Sequence, residues 1–172
     1  ATGIGTQHGG ILVDFNAVKG GIEIIPLDND WQRAAHVYSD EVLISHRTDA
    51  EKGTPKFERG KSLSDHQCEM IYISGTAAIR GEESIVTGDV LVQTEITLEN
   101  IQHLIGLEEG REKLPEHSGK LELLRVYLKH EEDAKIVKED MDKLCPDVPI
   151  VYLYADVCRE ELLVEIEGIA YL

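Results

Sequence analysis

The chain has 172 residues, 33 acidic against 17 basic side chains, and a formal net charge of −16. That length, with 42% hydrophobic residues, suits one domain with a real core, or one domain plus a fragment of another. The charge argues against a nucleic-acid face or docking on anionic lipid, and a small anionic ligand would need a local basic pocket set against the overall field.

Residues 11–18 alternate apolar and polar side chains in their second half and are expected to form a strand. Lys19-Gly20-Gly21 is a turn, and Ile22 to Ile25 a second strand that Pro26 is expected to end. Residues 26–66 are polar and charged, with Gly53, Pro55 and Gly60, and read as a long irregular segment with a short strand near Val42–Ile44. Met70 to Gly75 is an apolar, β-rich run and a buried strand. Asp89 can cap a helix running through Ile105, where Val90, Ile96, Leu98 and Ile101 fall near helical spacing and Gly106 offers a stop. Leu121 to Leu128 is a strand, and Glu131 to Leu144 a second helix ended at Cys145-Pro146. Its acids lie early and Lys143 late, which suits the helix dipole, though the run reads first as a solvated outer face. Val148 to Ala155 and Leu162 to Tyr171 are two further strands.

The fold class is therefore α+β, a sheet with two helices on one face. Leu12 to Val18 echoes Leu163 to Ile169, either by the chance period of two strands or as an internal repeat. On the second reading residues 1–30 are terminal strands of a truncated related unit, 31–66 a connecting segment and 67–172 the main domain. The start, without Met or a signal-peptide pattern, is expected to be a boundary inside a longer protein. Cys68, Cys145 and Cys158 form no C-x-x-C pair and no disulfide framework, so reduced thiols and a cytoplasmic location are expected. The seven histidines give no metal spacing: His8, His36, His46 and His66 read as loop surface and His103 as a helix-face residue. No glycine-rich dinucleotide fingerprint appears. Neither metal nor cofactor is expected.

From residue 68 the chain resembles the Rid (YjgF-like, L-PSP endoribonuclease-like) superfamily. The resemblance rests on Ile73-Ser74-Gly75-Thr76, on Asp89 to Thr94 with Glu99-Asn100-Ile101, and on Val164 to Ala170. It implies a Rid-like (chorismate-mutase-like) fold and a homotrimer with ligand clefts between subunits. Rid imine deaminases place an Arg two residues after a Pro before the penultimate strand. Here Pro149 is followed by Ile150 and Val151, which counts against imino-acid deamination. The endoribonuclease label also fits poorly with so acidic a chain.

A narrower resemblance is to the C-terminal half of chorismatases, which remove the enolpyruvyl group of chorismate and release pyruvate with a hydroxybenzoate or dihydrodiol. It is carried by Ser74 to Ser84, Gly88-Asp89-Val90, Ala155 to Gly168, Pro26-Leu27-Asp28-Asn29, Gln32, Ala35, Tyr38 and Pro55 to Arg59. It implies that Glu165 is the acid that protonates the enol ether and that Cys158, matching a Cys of benzoate-forming chorismatases, is a nucleophile. Arg59, Arg80 and Arg159 would then grip the two carboxylates. Tyr38 and Tyr127 would supply hydroxyls, and Ser74, Gly75 and Thr76 backbone donors.

Each residue also has an ordinary reading. Glu165 suits the solvent face of a strand, Cys158 a buried thiol, each Arg a surface ion pair, each Tyr a core aromatic, and Ser74-Gly75-Thr76 a plain turn. Around Arg59 the family pattern is Phe-Ser-Arg-Ala, whereas this chain has Glu58 and Gly60. Trp31 with Tyr38 could line a pocket or simply pack. The competing functions are a Rid-type enamine/imine deaminase and a non-catalytic trimeric metabolite-binding protein.

Overall fold

Strict side-chain alternation in two strands fixes the centre of the molecule. In the computed structural model, which describes residues 15–43, 53–65, 68–106 and 120–171, Lys120–Leu128 (here β6) pairs antiparallel with Val164–Tyr171 (β8). Leu124, Val126 and Leu128 from one strand and Val164, Ile166 and Ala170 from the other turn to the same side, all without exposure. The residues between them, Arg125, Tyr127, Glu165 and Glu167, necessarily turn to the opposite side.

The remaining strands extend this pair. β1 (Glu23–Leu27), β2 (Gly60–Ser64), β3 (Glu69–Thr76), β8, β6 and β7 (Ile150–Tyr154) form one six-stranded sheet in that order. All pairings are antiparallel except β6 with β7. A two-residue-stranded hairpin, β4 (Ile79–Arg80) and β5 (Glu83–Ser84), stands beside the sheet. Helix α1 (Val90–Leu104) crosses from β3 to β6, and α2 (Ala134–Leu144) makes the crossover required between parallel β6 and β7. Both helices enter the same core, with Leu98 and Ile101 of α1 and Val137 and Met141 of α2 packed among the inward residues of β3, β6 and β8.

The Asp89 side chain accepts hydrogen bonds from the Leu91 and Val92 N–H groups, so α1 starts where the sequence places its cap. Gly106, at φ +73°, ends it. Four local expectations differ. Pro26 does not end β1, because β1 lies at the sheet edge, where a missing N–H is tolerated. Residues 40–42 turn rather than forming the strand expected near Val42–Ile44, and Ile44 lies outside the described residues. Gly60–Ser64, inside the segment read as irregular, is strand β2, held between β1 and β3. Its alternation is obscured by Ser62 and Ser64, and only the pairing across both edges reveals it. Of the strand expected at 11–18, residues 15–18 are not strand and 11–14 lie outside the described residues.

No described helix is long and apolar enough to cross a membrane.

Gly168 sits opposite Leu124, next to an irregularity in the β6–β8 register. A Cβ there would lie 2.6 Å from the Leu123 carbonyl oxygen and 2.7 Å from Leu124 Cδ2. Gly→Ala within a strand ordinarily stabilises. At this position the sign should reverse, with Gly168→Ala lowering the denaturant midpoint by an equivalent of about 1–3 kcal/mol. An unchanged or raised midpoint would show that the two strands can separate freely here.

Candidate functional site

The charged cluster begins with the loop between β7 and β8. It carries Cys158 and Arg159 and delivers the chain to Glu165, one residue into β8. Glu165 is the outward-turned register partner of Tyr127, yet it is only 6% exposed. Its outward position therefore does not put it in water. Burial, and next the nearby charge of Glu167, raise its pKa from 4.5 to about 7.

Glu167, on the same side of β8, is fixed from β6. Arg125 Nη1 donates to its Oε1 at 2.5 Å and the Tyr127 hydroxyl donates to the same oxygen at 2.7 Å. Burial and the Glu167 carboxylate together push the Tyr127 phenol up to about 12. Tyr127 therefore touches Glu167 with its hydroxyl while its backbone lies opposite Glu165.

Cys158 is solvent-accessible, unlike Cys145. Arg159 pulls its thiol pKa down, as the neighbouring cation suggests from sequence. The crowding of surrounding chain and the negative Glu165 outweigh that pull, so the thiol is raised overall. The sulfur is thus held as the protonated thiol beside Glu165, rather than as a pre-formed thiolate.

Two of the three candidate arginines meet on one aromatic ring. The Tyr38 ring lies 5.7 Å from the Arg59 guanidinium and 5.5 Å from that of Arg159. All three side chains are buried. Arg59 also stands over Phe57 and donates through Nη2 to the Tyr38 hydroxyl and to the Arg33 carbonyl oxygen. Its Nε is buried without a hydrogen-bond partner among the described residues. Arg159 donates through Nη1 to the Glu82 carbonyl oxygen at 2.9 Å and to Ser84 Oγ at 3.0 Å. A cleft of about 290 Å³ opens beside Arg159, with Ser84, Leu43, Glu41, Glu83 and Glu161 around it.

Arg80 stands apart from this pair. It bridges to Glu99 at 2.6 Å, donates to Asn100 Oδ1, and lies over Trp31, which stacks on His103. His103 is buried against Asp30, so it is not a simple helix-face residue. The larger cleft, about 450 Å³, lies here among Asp28, Asp30 and His103, and unlike the cleft at Arg159 it has no arginine in its lining.

Ser74 and Thr76 point their hydroxyls into the protein. Ser74 Oγ donates to the Glu58 carbonyl oxygen, and its N–H to that of Arg59, fastening the Arg59 segment to β3. Thr76 Oγ1 meets the buried Gln32 side chain. Gly75 between them is buried as well. Gln32, Asn29 and Asn100 continue as a buried polar chain that ties residues 29–32 to α1 and to the Ala77 and Ile79 carbonyl oxygens.

Sequence reading gives Glu82 no role. It is half-buried and accepts from the Ser39 N–H at 2.7 Å and from Arg33 at 3.0 Å. The Ser39 N–H, foremost, holds its carboxyl below the ordinary range. Glu82 thus anchors the segment that presents Tyr38, while its own carbonyl oxygen orients Arg159. Glu167 was also missed, although period two from Glu165 along β8 would have found it.

No protein-family model matches the chain. It is 34% identical over 177 residues to a chorismatase of Streptomyces rapamycinicus, a match spanning 98% of this chain and 50% of the relative. It is 33% identical to a 3-hydroxybenzoate synthase of Streptomyces hygroscopicus, over 98% of this chain and 49% of the relative. The chain thus spans about half the length of the curated relatives it matches. A crystal structure of a chorismatase superposes with a TM-score of 0.69 at 30% identity, covering 86% of this chain and 43% of that one. The YjgF gene product of E. coli superposes with a TM-score of 0.57 at 16% identity over 85% and 97% of the two chains, which shows that the fold is shared.

The raised Glu165 pKa has a thermodynamic consequence. Between 4.5 and about 7 the folded state holds a proton that the unfolded state has released. Stability from this group is therefore fully present below the unfolded pKa and is lost as pH rises through the folded one, by about 1.4 kcal/mol per unit. Glu165→Gln abolishes that loss. Compared with wild type by denaturant midpoints, it should be more stable by about 3 kcal/mol near about pH 8 and indistinguishable near about pH 4. A difference independent of pH would show that Glu165 is solvated and ordinary.

Proposed function

We propose, on the homology to chorismatases that runs through 98% of this chain, that its site cleaves the enolpyruvyl ether of chorismate, with Glu165 as the proton donor. The observation that carries the reading is a buried carboxyl on β8 whose pKa stands near 7, electrostatically coupled to Cys158 on the loop that also carries buried Arg159. An enol ether resists hydrolysis until its terminal methylene carbon is protonated. A carboxylic acid that keeps its proton near neutral pH suits that step.

The atoms balance simply in the hydrolytic branch. The Glu165 proton moves to the methylene carbon, the C=C π bond breaks and an oxocarbenium centre forms. Water adds to that centre and returns a proton to the Glu165 carboxylate. The hemiketal then breaks its bond to the ring oxygen, with its hydroxyl proton passing to that oxygen, giving pyruvate and a dihydrodiol. Pyruvate plus a hydroxybenzoate sum instead to chorismate itself, with no net water. Cys158, accessible and electrostatically coupled to Glu165, is the position we assign to the choice between these outcomes.

Arg59 and Arg159 are assigned to the substrate carboxylates. The unpartnered Nε of Arg59 is a donor that a bound carboxylate would satisfy, and Arg159 engages Glu82 and Ser84 through Nη1. Tyr38 sets the spacing between the two cations. Glu41, Glu83 and Glu161 line the cleft beside Arg159, so an anion there has to be gripped by the guanidinium groups themselves. The Rid-like fold further suggests a trimer, for which exposed Val151, Leu153 and Tyr154 on edge strand β7 offer apolar surface.

The test is incubation of the full-length protein with chorismate, coupling pyruvate to its reduction. Wild type should release pyruvate, and Glu165→Gln should lower the rate by about 10²–10⁴-fold. The rate should fall as pH rises through about 7, where Glu165 loses its proton. Cys158→Ala should keep pyruvate release while shifting the ring product toward the dihydrodiol. Chorismate bound without pyruvate, with affinity unchanged in Glu165→Gln, would replace the enzyme reading with a binding one. Ammonia release from 2-imino acids would support a deaminase instead.

A further inference from the structure

The α1 helix buries several polar side chains, and Gln93 is the one that reaches the active loop. It has no exposure at all. An apolar residue of the same length would satisfy both helix propensity and core packing at such a position. Both ends of the amide are instead engaged. Its Nε2 donates to the Glu161 carbonyl oxygen at 3.0 Å, and its Oε1 accepts from the Leu163 N–H at 2.8 Å.

These two bonds fall between the groups assigned to the chemistry. Glu161 is two residues after Arg159, and Leu163 is two residues before Glu165. The loop has other fastenings: the Lys129 N–H donates to the Leu163 carbonyl oxygen at 3.0 Å, and Arg159 donates to the Glu82 carbonyl oxygen and to Ser84 Oγ. Val157 and Leu162 pack in a small apolar cluster with Ala77, Ala78 and Ile79, and Lys129 donates to the Glu160 carbonyl oxygen from the surface. An apolar cluster tolerates small sliding movements, and the Lys129 and Arg159 bonds tie the loop to the end of β6 and to the β4–β5 hairpin rather than to α1. A two-point amide latch from a helix fixes both distance and direction.

We infer that Gln93 is a positioning residue for the proposed reaction, latching the β7–β8 loop to α1 and so holding Cys158 and Arg159 in place relative to Glu165. The inference rests on the reading given under Proposed function. Gln93 does not touch the cluster itself. Its effect passes through the backbone of residues 161 and 163.

The experiment uses Gln93→Met, which keeps length and helix propensity but removes both bonds, and Gln93→Glu, which keeps the acceptor for Leu163 and removes the donor to Glu161. Both are made in the full-length protein and assayed below their unfolding midpoints. Two readouts are taken: steady-state pyruvate release from chorismate, and the rate of Cys158 alkylation by iodoacetamide, followed by peptide mass spectrometry with exposed Cys68 as internal reference. A displacement of the order of 1 Å at the reacting groups lowers turnover by about 10²-fold, so kcat for Gln93→Met should fall by about 10–100-fold with a smaller change in KM. Gln93→Glu should fall less. In both, Cys158 alkylation should change several-fold while that of Cys68 does not.

Folded variants whose kcat and Cys158 alkylation both stay within twofold of wild type would overturn the inference, even if their midpoints drop, because Gln93 would then serve stability alone. If Gln93→Met does not fold, Gln93→Glu decides. A wild-type protein that releases no pyruvate overturns the reaction. The latch is then judged on alkylation alone, where an unchanged Cys158 rate rejects it and a changed one sustains it.

Discussion

The antiparallel register of β6 against β8 is the constraint on which the rest depends. It pairs Val126 with Ile166 and Leu128 with Val164, which places four fully buried aliphatic side chains under the helices. The same register pairs Tyr127 with Glu165 and Arg125 with Glu167 on the other side. A slip of one residue would bring the carboxylates into the apolar core and expose the aliphatics, so the core fixes the site geometry at no separate expense in specificity. Gly168 belongs to the same constraint, because its missing side chain lets the strands approach where the register is irregular.

Around that frame, charge is arranged locally against the overall sign. The net charge of −16 is dominated by acids such as Glu131 and Glu132, which lie on the surface. Arg59 and Arg159 are instead buried around Tyr38 and hydrogen-bond to neutral backbone and hydroxyl acceptors, while Glu161 lies close enough to Arg159 to feel its charge. Arg80 follows the opposite logic. Its ion pair with Glu99 and its stacking on Trp31 make it part of the scaffold that holds residues 29–32 on α1.

Sequence periodicity was sufficient for β3, α1, β6 and β8, because each buries a regular set of aliphatics or starts at a recognisable cap. It failed for β2, whose Ser62 is buried beside Glu69 through a side-chain hydrogen bond rather than by hydrophobicity. The site was legible only residue by residue. Glu165, Cys158 and the arginines could be named by resemblance, but nothing local distinguishes Arg80 from Arg159. That distinction is tertiary, since it depends on whether Glu99 or Tyr38 faces the guanidinium. Gln93 and Glu82 were invisible for the same reason. Their partners are backbone groups 68 and 43 residues away, which no spacing within the chain signals.

The central claim is that β8 presents a buried carboxyl that keeps its proton near neutrality next to the loop carrying Cys158 and Arg159. Its most direct test is the titration of Glu165 by carboxyl-carbon NMR in the full-length protein, with Glu165→Gln used to assign the resonance. The account predicts a midpoint of about 7, moving down when Glu167→Gln removes the neighbouring charge. A midpoint near the ordinary 4.5, unaffected by residue 167, would contradict it.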